Sequence, residues 1–392
     1  MIRNRRAAGG ALAIGLAVGM LAGTGVPAHS ATAAAGAGAG AADRSGLPAI
    51  LERLTTDDGA PGALLEVRDR DGGTVLTSGV GDVRNRTPVP RDSRFRIGSV
   101  TKTFVATVVL QLVGEHRVVL DAPVERYLPG VIRGHGNDGR RITVRQLLQH
   151  TSGLPDYLDY VTPQDVLKDP LAHHDLRAMV DVALAHHRVF KPGREWKYSN
   201  TNYLVAGLLI ENVTGRPYGE EIGRRIIGPL GLHATSVPGD DPAIPGPHPR
   251  GYVRPGEGAP LMDVTELNPT VAGPGGGMVS SASDLGRFMG ALLDGRLLAP
   301  AQLREMMRTR PTGNADGRAY GLGLESRPLP CGGLYWGHTG DMLGFETVTG
   351  ATSGGRQATV MVNLDPGGSD AQDADMETAV QTALCEPQVS GR

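Results

Sequence analysis

Apolar residues recur with a helical period between Gly98 and Gly114, at Val100, Phe104, Val105, Val108, Val109, Leu112 and Val113. This spacing predicts a buried helix whose first turn begins at Ser99. Helical periodicity also fills the middle of the chain, around residues 143–150, 175–186, 203–213 and 282–293, between loops rich in Pro and Gly. We therefore expect a mainly helical region over about 115–310.

Strand-like apolar stretches lie near both ends of the chain instead. They cover residues 64–68 and 74–80 near the start, and 334–336, 345–348 and 358–364 near the end, followed by a helix over about 371–384. Strands at both ends that enclose a helical middle predict an α/β fold. One sheet is expected to form from about 47–95 and 315–386, with helices packed against it.

Ser99 and Lys102 stand three residues apart at the start of the predicted helix. Residues at this spacing share a helix face, so the Lys102 amine can lie beside the Ser99 hydroxyl. An amine that is desolvated among apolar neighbours can be neutral and accept the proton of a serine nucleophile. The free backbone amides of the same turn supply positive potential where an oxyanion would form.

Two further motifs follow in order, Tyr198-Ser199-Asn200 and His338-Thr339-Gly340. Each motif alone is common, since Ser and Asn form turns and Tyr packs in many protein cores. Three such motifs in this order, each in a suitable local context, predict acyl transfer on a serine.

With these motifs the chain resembles the serine β-lactamase and penicillin-binding family, in particular secreted actinobacterial D-alanyl-D-alanine carboxypeptidases, class C β-lactamases and related esterases. The likeness spans about residues 46–386, and further segments that carry it are 59–63, 95–99, 142–148, 150–154, 198–203 and 320–323. It implies a β-lactamase-like fold, with an antiparallel sheet built from both chain ends, flanked by helices, and an inserted mainly helical subdomain. The active site is then a groove between that subdomain and an edge strand that carries His338 to Asp341.

The resemblance also implies a role for each motif residue. Ser99 is the acylated nucleophile and Lys102 its partner, while Tyr198 is the general base and later the proton donor. Asn200 holds the substrate amide, and His338 takes the place that lysine holds in most relatives. The amides of Ser99 and Asp341 form the oxyanion hole, so the substrate-binding and oxyanion residues are expected to be Ser99, Thr339, Gly340 and Asp341.

A tyrosine acts as a base near neutral pH only when its pKa is lowered. We expect Lys102, together with a protonated His338, to lower the pKa of Tyr198 through their charges. Whether Lys102 or Tyr198 removes the Ser99 proton is disputed for sites of this type, and both assignments stay open at this point.

Two neighbourhoods depart from the carboxypeptidase branch. That branch typically has Thr after His-Thr-Gly, where this chain has Asp341, and it has a basic residue on the neighbouring strand that helps hold the substrate carboxylate. Here that strand reads Glu325-Ser326-Arg327. An Asp341 that faces the groove would repel an anionic chain end unless Arg327 or another cation compensates. These residues and His338 form one corner of the expected groove, and histidine in place of lysine also makes the charge of this corner depend on pH.

Composition narrows the possible partners. The 392 residues, 40% of them hydrophobic, are enough for a sizeable core. Lys and Arg number 39 against 41 Asp and Glu, with no long run of either sign, which argues against nucleic acid and acidic membrane surfaces. The histidine pairs at 173–174 and 186–187 have no nearby Cys and no His-Glu-x-x-His spacing, so neither a metal nor a cofactor is expected.

The chain begins with the pattern of a signal peptide. Arg3, Arg5 and Arg6 precede an Ala/Gly/Leu stretch over 7–25 and small residues over 28–31. An uncleaved anchor helix is the alternative, and the Arg5-Arg6 pair leaves Sec and twin-arginine export both open. We expect a secreted monomer without a stable membrane span, organised as signal peptide 1–31, Ala/Gly-rich linker 32–46, catalytic domain 47–386 and tail 387–392.

The chain has two cysteines, Cys331 and Cys385. In an oxidising compartment two thiols predict one disulfide, which would tie the strand before His338 to the C-terminal helix. Two free thiols are the alternative. Redox catalysis is not expected, because the chain lacks a Cys-x-x-Cys pair.

These observations predict a secreted serine hydrolase that works through an acyl-enzyme and is acylated by β-lactams. D-alanyl-D-alanine carboxypeptidase-like cleavage of a peptidoglycan stem peptide is the leading function. Alternatives with the same chemistry are an esterase acting on small esters, an amidase for D-residues with a free amine, or an endopeptidase. An alternative of another class is a non-hydrolytic penicillin-binding sensor, which would stop after one turnover. The natural substrate, the acyl acceptor and the deacylation rate stay open.

Overall fold

The computed structural model describes residues 46–69, 72–256, 258–369 and 371–385. The predicted signal peptide, the predicted linker apart from Gly46, and the predicted tail lie outside these residues.

Nine of the described strands form one antiparallel sheet that draws on both ends of the chain. The strands in chain order are β1 (Gly62–Asp69), β2 (Gly72–Asp82), β3 (Thr87–Pro88), β4 (Arg94–Arg96), β5 (Tyr252–Val253), β6 (Met262–Asp263), β7 (Val279–Ser281), β8 (Arg310–Pro311), β9 (Ala319–Tyr320), β10 (Glu325–Pro328), β11 (Leu334–Met342), β12 (Phe345–Thr352) and β13 (Gln357–Val362). The sheet order is β3-β2-β1-β13-β12-β11-β10-β9-β8. The predicted sheet from both chain ends is confirmed.

Strand β11 differs from the edge strand that the sequence predicted. It lies inside the sheet, between β12 and β10, but β10 pairs with β11 only over Leu334 to Gly337. The remaining part, His338 to Met342, pairs with β12 alone. A free edge therefore exists only along the second half of the strand, where the His338-Thr339-Gly340 motif lies.

The described helices are α1 (Gly46–Thr56), α2 (Thr101–Gly114), α3 (Val144–Leu148), α4 (Pro163–Lys168), α5 (Leu176–Leu184), α6 (Thr201–Thr214), α7 (Tyr218–Ile222), α8 (Gly228–Leu230), α9 (Ala282–Leu293), α10 (Pro300–Met306) and α11 (Gln372–Cys385). Short turns of tighter helix occur at Gly98–Val100, Val124–Arg126, Tyr157–Asp159, Pro269–Val271 and Gly273–Gly275, and a π-helical turn at Gly223–Ile227. Helices α1 and α11 pack together against the sheet, and α9 packs against β12 and β13.

Helix α2 is the buried helix that the apolar period predicted. It packs against α6, α7 and α10, and the Phe104 ring stacks on Phe288 with 3.7 Å between centroids. Ser99 lies in the tight turn Gly98–Val100 directly before α2, so the nucleophile motif begins the helix as expected. Helix α3 is shorter than the predicted 143–150, because Thr143 caps its start and His150 has a left-handed φ of 56°.

Cys331 and Cys385 form a disulfide that joins the segment before β11 to the end of α11. The link closes a loop of 54 residues, for which chain-entropy arguments give about 4 kcal/mol of stabilisation. None of the helices in the described part of the chain is both long enough and apolar enough to span a bilayer.

Reduction of this disulfide should lower the melting temperature by several degrees, because it restores conformational freedom to the unfolded chain. The check is thermal denaturation with and without reductant, next to nonreducing peptide mapping. A Cys331→Ser/Cys385→Ser variant is the control, since its melting temperature should not respond to reductant. Two freely alkylated thiols in the purified folded protein would contradict the prediction.

Candidate active site

A tight turn places Ser99 against the free half of β11. Gly98 has a φ of 48°, and a Cβ at this position would lie 2.5 Å from the Asp341 nitrogen. A Cβ on Gly340 would lie 2.0 Å from the Ile97 oxygen and 3.2 Å from the Ser99 nitrogen. Only glycines permit so close an approach of the two backbones. The backbone amides of Ser99 and Asp341 are thereby brought to the same place.

Lys102 points its amine at Ser99 from the first turn of α2. Its Nζ lies 2.8 Å from Ser99 Oγ, 2.7 Å from Asn200 Oδ1 and 2.5 Å from the Gly275 carbonyl oxygen. Two of these partners, the amide oxygen and the carbonyl, can only accept hydrogen bonds. A neutral amine has two N–H groups for them and one lone pair, which then faces the Ser99 hydroxyl.

The protonation state of Lys102 suits this arrangement. The residue is fully buried, and its burial lowers the amine pKa to about 7 against the opposing charges of Asp156, Asp341 and Glu325. A large fraction of the amine is therefore neutral at neutral pH. Lys102 can accept the proton of Ser99 at the moment when the hydroxyl attacks.

Tyr198 behaves differently from the sequence expectation. Burial raises its pKa well above the usual value, and the nearby Ser99 hydroxyl only partly opposes that rise. Its buried hydroxyl oxygen has no hydrogen-bond partner among the described residues. The predicted lowering of the Tyr198 pKa is therefore wrong, because burial dominates and the charges of Glu325 and Asp341 add to the rise. Tyr198 keeps its proton at neutral pH, which favours Lys102 as the base.

His338 carries no charge at neutral pH. Burial lowers its pKa to about 4, although the carboxylate of Glu325 opposes this. Its Nε2 accepts a hydrogen bond of 2.8 Å from the Tyr320 hydroxyl, whose pKa is raised by burial, and its Nδ1 donates to the Thr339 oxygen at 2.6 Å. His338 therefore becomes charged only at acidic pH, not near neutral pH as the sequence suggested. It does not supply a cation to a substrate at neutral pH.

Asn200 connects Lys102 to a carboxylate that the sequence analysis did not single out. Its Oδ1 accepts from Lys102, and its Nδ2 donates to Asp156 Oδ2 at 2.9 Å. One N–H of the amide remains for a substrate. Asp156 follows the 150–154 segment that carried the family resemblance, so the sequence indicated the neighbourhood but not the contact.

His150 lies behind Tyr198 and was likewise missed as a site residue. The two rings lie 4.1 Å apart between centroids, and the Ser199 amide donates to His150 Nδ1 at 3.2 Å. Burial holds the pKa of His150 well below its usual value. The neutral ring therefore supports the Tyr198-Ser199-Asn200 turn from inside the core.

The corner beside Asp341 is acidic. The Asp341 residue on β11 is exposed to solvent in part. Desolvation by the protein around its carboxyl group, together with the charge of Asp373, raises its pKa to about 6. Two further carboxyl groups, Glu346 and Asp365, lie close enough to feel the charge of Asp341, and burial together with that charge raises the pKa of each. Asp341 is therefore mostly ionised at neutral pH and gives the corner a negative charge.

Arg327 does not compensate this charge. The residue is 6% exposed, and its Nε and Nη2 donate to Glu325 Oε2 at 3.0 and 2.7 Å. Its Nη1 is paired with Glu377. The guanidinium is therefore already paired with the carboxylates of Glu325 and Glu377, so it does not bind a substrate carboxylate.

Comparison with known proteins agrees with this geometry. The Beta-lactamase family profile matches residues 47–383. Among curated proteins, penicillin-binding protein 4 of Amycolatopsis lactamdurans is 30% identical over 68% of this chain and 69% of its own length, and putative penicillin-binding protein PbpX of Bacillus subtilis is 28% identical over 74% and 68%.

Two solved structures cover most of the chain. A D-stereospecific amidohydrolase from a Streptomyces species is 42% identical, with a TM-score of 0.79 over 85% of this chain and 98% of its own. The D-amino acid amidase of Ochrobactrum anthropi SV3, in complex with L-phenylalanine amide, is 28% identical, with a TM-score of 0.75 over 86% and 96%. With the Ser99 hydroxyl against the buried Lys102 amine at the centre of its site, the chain belongs to the Beta-lactamase family and is a serine hydrolase of that family.

Proposed function

We propose that this protein is an exported amidase that cleaves the amide bond after a D-amino acyl group with a free amino group. The proposal rests on the negative charge of the corner at Asp341, together with the ion pairs that Arg327 forms with Glu325 and Glu377. A negative groove attracts an ammonium group and repels a carboxylate. The likeness to the Streptomyces D-stereospecific amidohydrolase supports the same substrate class.

The proposed reaction starts with the transfer of the Ser99 proton to the neutral Lys102 amine. Ser99 Oγ attacks the substrate carbonyl, and the backbone amides of Ser99 and Asp341 stabilise the oxyanion. The C–N bond then breaks, and the leaving amine receives the proton from Lys102 through the Tyr198 hydroxyl. In deacylation, water gives a proton to Lys102 and attacks the ester carbonyl. The bond between that carbon and Ser99 Oγ then breaks, Ser99 Oγ takes the proton back from Lys102, and the D-amino acid is released.

Export is part of the proposal. The signal-peptide pattern of residues 1–31 and the Cys331–Cys385 disulfide both suit an oxidising compartment. The Ala/Gly-rich segment 32–46 then acts as a linker ahead of a catalytic domain over 47–386.

D-alanyl-D-alanine carboxypeptidase activity, the leading prediction from sequence, is the second candidate. Relatives named as penicillin-binding proteins support it, and a peptidoglycan stem peptide would then be the substrate. Its substrate ends in a carboxylate, and of the two described arginines nearest this corner, Arg327 is paired with Glu325 and Glu377, while Arg318 is paired with Asp316 and Glu325. We therefore place it second, with acylation by β-lactams as a property that both candidates share.

The test compares kcat/KM for D-phenylalanine amide, its L-enantiomer, N-acetyl-D-phenylalanine amide and an N-acylated D-Ala-D-Ala peptide. The proposal expects the D-amide with the free amine to be cleaved fastest, with steady turnover that excludes a single-turnover sensor. Faster cleavage of the D-Ala-D-Ala peptide than of the D-amide would overturn the proposal and favour the carboxypeptidase.

Asp341→Thr should shift this preference toward the carboxylate peptide by about tenfold, since one charge at a partly desolvated site contributes about 1–2 kcal/mol. The measurement is the ratio of kcat/KM for D-phenylalanine amide to that for the D-Ala-D-Ala peptide. Asp341→Asn is the matched control, because it removes the charge and keeps the shape. High salt should narrow the wild-type preference. An unchanged ratio in both variants would show that Asp341 does not contact the substrate.

A further inference from the structure

Asp156 is a half-buried residue near the Lys102 amine, and it belongs to none of the three sequence motifs. It caps the turn Tyr157–Asp159, with Oδ1 accepting from the Leu158 amide at 3.2 Å. Its Oδ2 accepts from Asn200 Nδ2 at 2.9 Å. Each oxygen of the carboxylate therefore has one defined partner, and the second of these partners touches Lys102.

This contact decides which way the Asn200 amide points. A carboxylate accepts hydrogen bonds and cannot donate them, so Asp156 holds the NH2 group of Asn200 toward itself. The amide oxygen then faces Lys102 Nζ at 2.7 Å. If the amide turned over, its NH2 group would face the amine, and its oxygen would face the carboxylate.

The direction of the Asn200 amide in turn decides where the lone pair of a neutral Lys102 points. Asn200 Oδ1 and the Gly275 oxygen take the two N–H groups, which leaves the lone pair for Ser99 Oγ at 2.8 Å. With the Asn200 amide reversed, the lone pair would accept from Asn200 Nδ2 instead. The amine would then be a poor acceptor for the Ser99 proton.

We propose that Asp156 is a positioning residue for the catalytic base: through Asn200 it fixes the Lys102 lone pair on Ser99, and its charge stabilises the protonated amine during acylation. The inference concerns the Ser99–Lys102 chemistry itself and holds for any acyl donor. It therefore rests on the serine-hydrolase assignment and is independent of the D-amide preference.

Electrostatics support the geometric argument. Of the charges that raise the pKa of Lys102 against its burial, that of Asp156 is the largest, followed by Asp341 and Glu325. His150 and His338 near the amine have lowered pKa values and stay neutral near pH 7. Among the described residues, the titratable groups that interact electrostatically with Lys102 or lie within 6 Å of its amine are Asp156, Asp341, Glu325, His150, His338, Tyr198 and Tyr203.

The experiment measures the pH profile of kcat/KM with p-nitrophenyl butyrate, a neutral ester that needs no amine subsite. Asp156→Asn removes the charge but can still accept from Asn200. Without that charge the amine loses its proton at lower pH, so the acidic limb should move down by about one pH unit. The plateau rate should fall about tenfold or more, because the Asn200 amide is no longer held in one direction.

Asp159→Asn is the matched control, since Asp159 lies in the same turn and is exposed. It removes the same charge and should leave both limb and plateau unchanged. Asp156→Ser is the second neutral variant, because serine can keep the cap on Leu158 and thereby the fold. It should show the same limb shift with a larger loss of plateau rate.

A lower plateau in both neutral Asp156 variants with the acidic limb at the wild-type pH would overturn the proposal, because a structural role alone predicts that result. An equal limb shift in Asp159→Asn would also overturn it. Loss of the D-amide preference with the limb shift intact would count against the proposed substrate and leave this inference standing.

Discussion

The Ser99→Ala variant should form no acyl-enzyme and should lose about five orders of magnitude in kcat with esters, amides and β-lactams alike. The tight turn Gly98–Val100 holds Ser99, the proposed nucleophile, against β11, and alanine cannot form the ester bond. The checks are steady-state hydrolysis and intact mass after incubation with benzylpenicillin. Ser353→Ala, at an exposed position, is the control and should retain full activity.

A stable adduct on Ser99→Ala, or hydrolysis that is lost to chelators instead, would contradict the assignment of the nucleophile. The fold should survive the change, since alanine keeps the backbone hydrogen bonds of residue 99 and removes only a half-buried hydroxyl beside Lys102. Near-UV circular dichroism of the variant should therefore match that of the wild type.

Lys102→Met should lower kcat/KM by about three orders of magnitude or more, because the variant has no group that takes the Ser99 proton. In the wild type, kcat/KM should rise with pH through about 7, where the amine becomes neutral. The variant should lack this limb. Methionine is close to lysine in length and is apolar, so it fills the same fully buried position.

The same variant should be more stable than the wild type at low pH. Burial lowers the pKa of Lys102 to about 7, so the unfolded state binds more protons than the folded state between that pH and the ordinary lysine pKa. The free-energy cost of burying the protonated Lys102 amine is therefore complete below about pH 7, and it decreases as the pH rises toward the ordinary lysine pKa. Lys102→Met should melt several degrees above the wild type at pH 6, with a smaller difference near pH 10.

A Lys102→Met variant with more than a tenth of the wild-type activity and an unchanged acidic limb would show that another group is the base. Tyr198 would then be the candidate, despite its raised pKa. Tyr198→Phe separates the two assignments: with Lys102 as the base it should slow release of the amine from amides more than release of the phenol from p-nitrophenyl esters, since nitrophenolate leaves without a proton.

The sequence predicted those features that depend on local pattern. The apolar period of 100–113 placed helix α2, and the strands at both chain ends placed the single sheet. Ser99 and Lys102 share one helical turn by spacing alone, so their contact followed from helix geometry.

Features that depend on partners distant in sequence were not predictable in this way. The half-free edge of β11 depends on where β10 stops pairing, and the pKa of Tyr198 depends on how completely the core covers it. The link from Lys102 through Asn200 to Asp156 joins three separate segments, which a linear motif does not show. Likewise, the sequence placed Arg327 near the corner but could not show that Glu377 of α11 holds it.

The most direct test is an acid-quenched reaction of the purified protein with D-phenylalanine methyl ester, followed by intact mass and peptide mapping. Acid stops deacylation, because it protonates Lys102 and preserves the ester on the enzyme. The account predicts a transient D-phenylalanyl adduct on the peptide that contains Ser99, absent with the L-ester and in Ser99→Ala. Product formation from the D-ester with no adduct at any quench time, or an adduct on another residue, would contradict it.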